Sequence, residues 1–291
     1  MKGSKNALAG STTSMMRSIT LALAFLSLAV QSQAQIQNLS DNNSQALINP
    51  NSQAGMFSWT VDGQQQLFQQ WFWYRIGPNN PESSIDTISA PLITRPDAKT
   101  AYITYGGAAN GYSVEVDYVL TGQSPGSGQA DVRESIRIHN FALTPLDFHF
   151  FQYSDFELNN QVGGDTVTLG KDINGKFNEA LQTKGASILS ETEVTPGANH
   201  GETAFFNDTL LKLNNPLPDV LNDNAGPTGP GDVTWALQWD TSIAAGGDFL
   251  ISKQKFLQVP EPSVLALISL GAVAYALHRR RQSQHGSPAP V

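Results

Sequence analysis

The central part of this sequence predicts an all-β fold, a single β-sandwich or jelly-roll-like domain, and three observations carry that reading. Runs rich in Tyr, Phe, Val and Ile recur from Met56 onward, Gly, Pro and Asn clusters separate them, and long helical patterns are missing. Ten or so short strands with long turns suit two sheets that bury facing aromatics. The roughly 220 residues between the two terminal segments suffice for one such domain. No Cys is present, so the domain must be stable through its core alone.

The elements follow in chain order. Lys2, Lys5 and Arg17 precede an apolar run from Ile19 to Val30, which leads to Ser32, Gln33 and Ala34. A basic region, an apolar stretch and a small-x-small site in that order predict a secretory signal peptide, residues 1–34, cut after Ala34 by signal peptidase once the Sec translocon has engaged it. The basic region is long, so Met15 and Met16 are alternative starts. Residues 35–55 are rich in Asn, Gln and Ser with few aromatics, a composition that buries too little apolar surface to offset chain entropy and predicts a linker.

Residues 56–258 are the expected β-rich exported domain. Leu67 to Ile76 places aromatics on both faces, as a strand buried between two layers would. Tyr112, Val114, Val116, Tyr118 and Leu120 alternate with polar residues, and Val132, Glu134, Ile136 and Ile138 do the same after the turn-forming stretch Thr121 to Ala130. The pair predicts a long-looped hairpin. Leu146 to Leu158 is dense in aromatics, and its alternation shifts at Phe150 and Phe151, which predicts a bulge. Further strands are expected over 165–169, 202–206, 232–240 and 248–257. The Pro- and Gly-rich stretch from Asn214 to Gly231 reads as a long surface loop. Gln70-Trp71, Gln152-Tyr153 and Gln238-Trp239 echo one another but do not make a repeat of fixed period.

The C-terminus has its own physics. Val264 to Leu277 carries no charge and is followed by Arg279, Arg280 and Arg281. As a helix it spans about 21 Å, against a hydrocarbon core of about 30 Å, so it is marginal as a permanent anchor. The Arg cluster would stay cytoplasmic and leave the bulk of the chain outside. Upstream, Pro260 and Pro262 bracket Glu261 and keep that tripeptide extended and accessible at the outer boundary. The last ten residues, 282–291, are polar and read as a cytoplasmic tail.

Val259, Pro260, Glu261 and Pro262, the apolar segment and the Arg279 to Arg281 cluster, in that order, resemble the PEP-CTERM sorting signal of Gram-negative bacteria. The resemblance covers residues 259–281 and implies an exosortase as partner, which recognises and processes the signal while the segment sits transiently in the inner membrane. An ordinary C-terminal transmembrane anchor is the alternative. The stretches Phe57 to Gly77 and His149 to Leu158 also resemble the extracellular portions of other PEP-CTERM proteins, which implies a shared β-rich module of unknown activity.

Charge excludes one class of partner. The formal balance of the whole chain is −8, and removing Lys2, Lys5, Arg17 and Arg279 to Arg281 leaves eleven basic residues against twenty-five acids, 11 − 25 = −14. Nucleic-acid binding, which needs clustered Lys and Arg, is not expected. Divalent cations, polycationic polymers or simple colloidal solubility suit such a surface.

No catalytic signature stands out. Asp155 and Glu157 lie two apart on an expected strand, a spacing of roughly 6.5–7 Å that inverting glycosidases use; a solvated strand edge reads the same way. Tyr153 extends that stripe, and Trp235 and Trp239 share one strand face with Leu237 between them. Such residues stack on sugar rings when exposed and form core when buried. Asp172, Asn174 and Gly175 open like a calcium loop, but the remaining ligands are missing. His139, His149 and His200 show no zinc spacing, and no Gly-x-Ser-x-Gly motif is present, so no metal, cofactor or catalytic residue is expected. The sequence therefore reads as a non-enzymatic structural or interaction protein of the cell surface or exopolysaccharide matrix. A carbohydrate-binding module, or a polysaccharide hydrolase or lyase on a sandwich, is the alternative.

Overall fold

A computed structural model describes residues 35–260 and Tyr275. The expected signal peptide, residues 1–34, together with Glu261, Pro262, the arginine cluster and the expected polar tail, lies outside the described residues. In chain order the strands are β1 (Gln37–Asp41), β2 (Ser44–Asn49), β3 (Gly55–Val61), β4 (Gln64–Gln65), β5 (Gln69–Ile76), β6 (Ser83–Ser84), β7 (Leu92–Thr94), β8 (Thr100–Gly107) and β9 (Tyr112–Gly122). There follow β10 (Gln129–Asn140), β11 (Leu146–Asp155), β12 (Asp165–Lys171), β13 (Phe177–Lys184), β14 (Ser187–Thr195), β15 (His200–Phe205), the short helix α1 (Asp208–Leu213), β16 (Thr228–Gly231), β17 (Val233–Ile243) and β18 (Asp248–Gln258).

These form two sheets. One runs β1-β2-β3-β5-β11-β17-β15, with β4 and β6 at its margins, and the other runs β16-β12-β13-β14-β18-β10-β9-β8-β7. Pairing is antiparallel apart from the short β3–β5 contact. The expected hairpin is β9–β10, in register from Ala130 opposite Gly122 to Asn140 opposite Tyr112.

Two expectations are corrected. Residues 35–55 are not a linker: β1 and β2 form a hairpin, and Leu39, Ala46 and Ile48 are fully buried. The few apolar residues there alternate with polar ones, and pairing with β3 supplies the rest of the surface that burial needs. Nor is there a bulge at Phe150 and Phe151, because β11 keeps an unbroken register with both β5 and β17. Alternation is lost there because the strand is covered on both faces.

The first face of β11 meets the second sheet. Phe150 stacks on Phe72 at 5.4 Å between centroids and lies 6.0 Å from Trp239. Gln152, on the same face, donates to Glu191 of β14 at 3.0 Å. The opposite face is covered by residues 206–225. Arg75 donates to the carbonyl of Asp219 at 2.7 Å, Thr209 donates to Glu202 at 2.7 Å, and the Leu221 amide donates to Gln238 at 3.0 Å. The expected surface loop is thus a strap packed on a sheet, and it ends as strand β16 beside β12.

Between residues 35 and 258 there are 11 Lys and Arg and 24 Asp and Glu, so the domain carries 11 − 24 = −13, Glu261 belonging to the terminal segment. Among the described residues no helix is long and apolar enough to cross a membrane.

Candidate functional site

Placement of the residues singled out by sequence decides much of their chemistry. Trp235 and Trp239 are 0% exposed. Trp239 donates its indole N–H to the Pro196 carbonyl at 2.8 Å, so both rings are core and neither offers a face for stacking on a sugar. Tyr153 is also fully buried and meets Trp73 edge to face at 6.2 Å.

Asp155 and Glu157 do not share a strand face, because β11 ends at Asp155 and Glu157 lies in the turn beyond. Asp155 is 1% exposed. Burial, reinforced by the negative charges of Asp232 and Glu157, pushes its carboxyl up to about 8. Asp165 closes the same corner, accepting from the Gln182 amide at 2.9 Å and pairing with Lys184 at 3.4 Å. Burial raises its pKa too. The group is a knot of carboxyls sharing few cations, with Asp155 sealed from solvent.

A more accessible array lies on the strap-covered face of the first sheet. Register places His149 of β11 opposite Asp240 of β17, and His200 of β15 opposite Gln238. His149 Nδ1 is 2.5 Å from Asp240 Oδ1, and His200 Nε2 is 3.5 Å from Asp240 Oδ2. One carboxylate therefore sits between two imidazoles. Gln238 donates to Asp240 Oδ1, the oxygen that faces His149, at 2.8 Å, and the backbone amide of Asp240 donates to Asn199 at 3.1 Å. On the far side of His200, Asp223 of the strap lies at 3.1 Å. Next to the array, the buried pair Arg75–Glu82 meets at 2.6 Å, and the Arg75 guanidinium lies 5.8 Å over the Phe151 ring.

Asp240 also lines a cavity of about 550 Å³, with Asn199, Asp172, Asn174 and Lys176 among its walls. The supposed calcium loop belongs here and is a turn. Asp172 accepts the amides of Asn174 and Lys176, each at 2.8 Å, and these bonds hold its pKa down. Among the described residues no group of three or more His, Cys, Asp or Glu is placed to hold a metal ion. What the array offers is a partly exposed imidazole, His200, and a partly exposed carboxylate, Asp240, backed by His149, whose Nε2 is buried; the exposed pair is suited to hydrogen-bonding hydroxyl groups or moving a proton between them. Sequence reasoning missed it because 51 residues separate His149 from His200, and only the pairing of three strands brings them together.

At the domain's exit, the last residue of β18 leads straight into the terminal signal. Val259 is buried, and its amide donates to the Gly128 carbonyl at 2.7 Å. Asp62 fixes the loop carrying Gly128, accepting the amides of Gly126 at 2.6 Å and Gly128 at 2.8 Å. Pro260 is exposed immediately beyond. Residues 258–281 match the PEP-CTERM protein-sorting motif.

This is a PEP-CTERM sorting signal joined without a spacer to a folded domain. A PEP-CTERM motif implies recognition and processing by an exosortase, and export toward the cell surface or envelope. No curated protein matches the chain.

Among solved structures, a bacterial glucoamylase bound to acarbose is similar over 82% of this chain and 34% of its own, with TM-score 0.58 and 10% identity. This chain thus spans about a third of the glucoamylase's length. An Escherichia coli protein described as an aldose 1-epimerase is similar over 77% of this chain and 98% of its own, with TM-score 0.52 and 9% identity. A galactose mutarotase related enzyme of Lactobacillus acidophilus is similar over 78% and 99%, with TM-score 0.53 and 6% identity. At these identities the likeness is one of fold.

Proposed function

We propose that the PEP-CTERM chain is exported across the inner membrane of a Gram-negative bacterium, processed by an exosortase, and placed on the cell surface or in the exopolysaccharide matrix. There its domain, a β-sandwich, contacts saccharide polymer. The observation that carries this reading is the sorting motif abutting β18 of that domain. The sugar-directed part draws support from the folds it resembles, whose named activities concern carbohydrates. A balance of −13 over the domain speaks against nucleic acid.

Two assays test it. Replacing Pro260, Glu261 and Pro262 by Ala in cells should leave a longer, membrane-retained species, and unchanged mass and fractionation would refute processing at this site. The protein released from wild-type cells should co-sediment with the exopolysaccharide of the producing organism. A second reading, an enzyme acting on saccharide, is favoured by the His149–Asp240–His200 array beside a cavity. Release of reducing sugar during the co-sedimentation assay, abolished by His149→Ala, would establish that reading over the first.

A further inference from the structure

A groove outside the histidine array has the chemistry of a sugar subsite. It measures about 620 Å³, within the range of about 300–1,000 Å³ common for ligand sites, and lies between the start of β3, the residues leading into β5, and α1. Phe57, Phe68 and Leu211 form its apolar part, and four amide side chains complete it. Phe68 is 51% exposed and Phe206, edge to face with it at 6.2 Å, is 43% exposed.

The four amides divide into two pairs. Gln69 donates to the Gln53 carbonyl at 2.6 Å, and Asn214 accepts from the Trp73 indole at 3.3 Å, so these two build the wall. The Gln53 and Asn207 side chains make no hydrogen bond among the described residues, and Asn207 stands before α1 without capping it.

Charge selects the occupant. None of the nine lining residues is ionisable, in a domain carrying −13. An anionic polymer would meet repulsion from the domain and find no cation in the groove. A cation would find no carboxylate. An uncharged polyol finds amides that both donate and accept, beside aromatic rings that cover the apolar face of a pyranose.

We propose that this groove binds a short stretch of uncharged sugar, with Phe68 stacking on a ring and Gln53 and Asn207 bonding its hydroxyls. The proposal rests on the reading that the domain contacts saccharide, and it assigns the contact to this groove instead of to the histidine array. The test titrates the full chain in lipid nanodiscs, by calorimetry, with uncharged hexaoses (malto-, cello-, xylo- and galacto-) and with an oligouronate of equal length. At least one uncharged hexaose should bind, weakened tenfold or more by Phe68→Ala and severalfold by Asn207→Ala, with His149→Ala unchanged and the oligouronate bound far more weakly.

Melting curves will check that the variants fold, as expected for half-exposed side chains. Binding lost in His149→Ala but kept in Phe68→Ala would overturn the groove and leave the saccharide reading standing. No binding of any saccharide would overturn both. Phe68-dependent self-association without saccharide binding would make the groove a contact between copies and overturn the proposal.

Discussion

Four charges are sealed between the sheets, and removing one should cost more than almost any other conservative substitution. Lys253 and Lys255 of β18 meet Glu134 of β10 and Glu191 of β14, and all four side chains are 0% exposed. Lys255 Nζ lies 2.7 Å from Glu134 Oε2 and 2.7 Å from Glu191 Oε2. Lys253 bonds Glu134 and Gln152 and sits 4.8 Å from the Phe72 ring centre. The group is neutral, two positive and two negative.

Lys255→Met keeps most of the volume but leaves two carboxylates on one ammonium, a net charge of −1 in the core. Breaking a buried pair in this way costs about 3–5 kcal/mol. For a domain of this size, at about 2–4 °C per kcal/mol, the melting point should fall by about 6–20 °C. Adding Glu191→Gln restores neutrality with Lys253 and Glu134 still paired, so the double variant should be more stable than the sum of the single losses by about 0.5–3 kcal/mol. Urea and thermal unfolding of the wild type, both singles and the double measure this. Additive losses, or a loss under about 1 kcal/mol for Lys255→Met, would show that the network does not act as a neutral unit.

Two further outcomes follow from the structure. Asp155 is protonated more readily folded than unfolded, its pKa rising from 3.8 to about 8. The native state therefore binds the extra proton, and stability should decline as pH rises from about 4 through about 8. Asp155→Asn removes that decline, raising the melting point at pH 8 with little change at pH 4; parallel pH profiles for wild type and variant would refute it. At the exit, a Cβ on Gly128 would lie 1.9 Å from the Val259 carbonyl oxygen, whereas one on Gly126 would meet nothing within 4 Å, and both residues have positive φ. Gly126→Ala should cost only its backbone strain, about 1 kcal/mol. Gly128→Ala should cost more and speed proteolysis near Pro260, and equal cleavage rates for the two would show that the Gly128–Val259 contact does not restrain the signal.

The fold class was legible wherever one face of a strand is wet. The β9–β10 hairpin shows clean alternation because charged Asp117 and Arg133 project opposite Val116 and Val132, and it forms in the register that alternation requires. Legibility fell where both faces are buried, as in β11, whose aromatics read as an irregularity. It fell also where a sparse apolar pattern relies on a partner strand, as in β1 and β2. The aromatic pair Trp235 and Trp239 illustrates the limit: spacing puts both on one face, and only packing against the second sheet makes that face interior.

What the sequence determined by itself is local or terminal. The order of tripeptide, apolar segment and arginines is a linear pattern visible without any fold, and the period-two alternation follows from strand geometry alone. The tertiary structure decided everything that depends on distant strands meeting. It sets His149 and His200 on either side of Asp240, cancels four charges between the sheets, and leaves Phe68 open beside amides that flank β3 and α1. Those meetings are fixed by register and sheet order, which arise from long-range pairing and packing and leave no periodic trace along the chain.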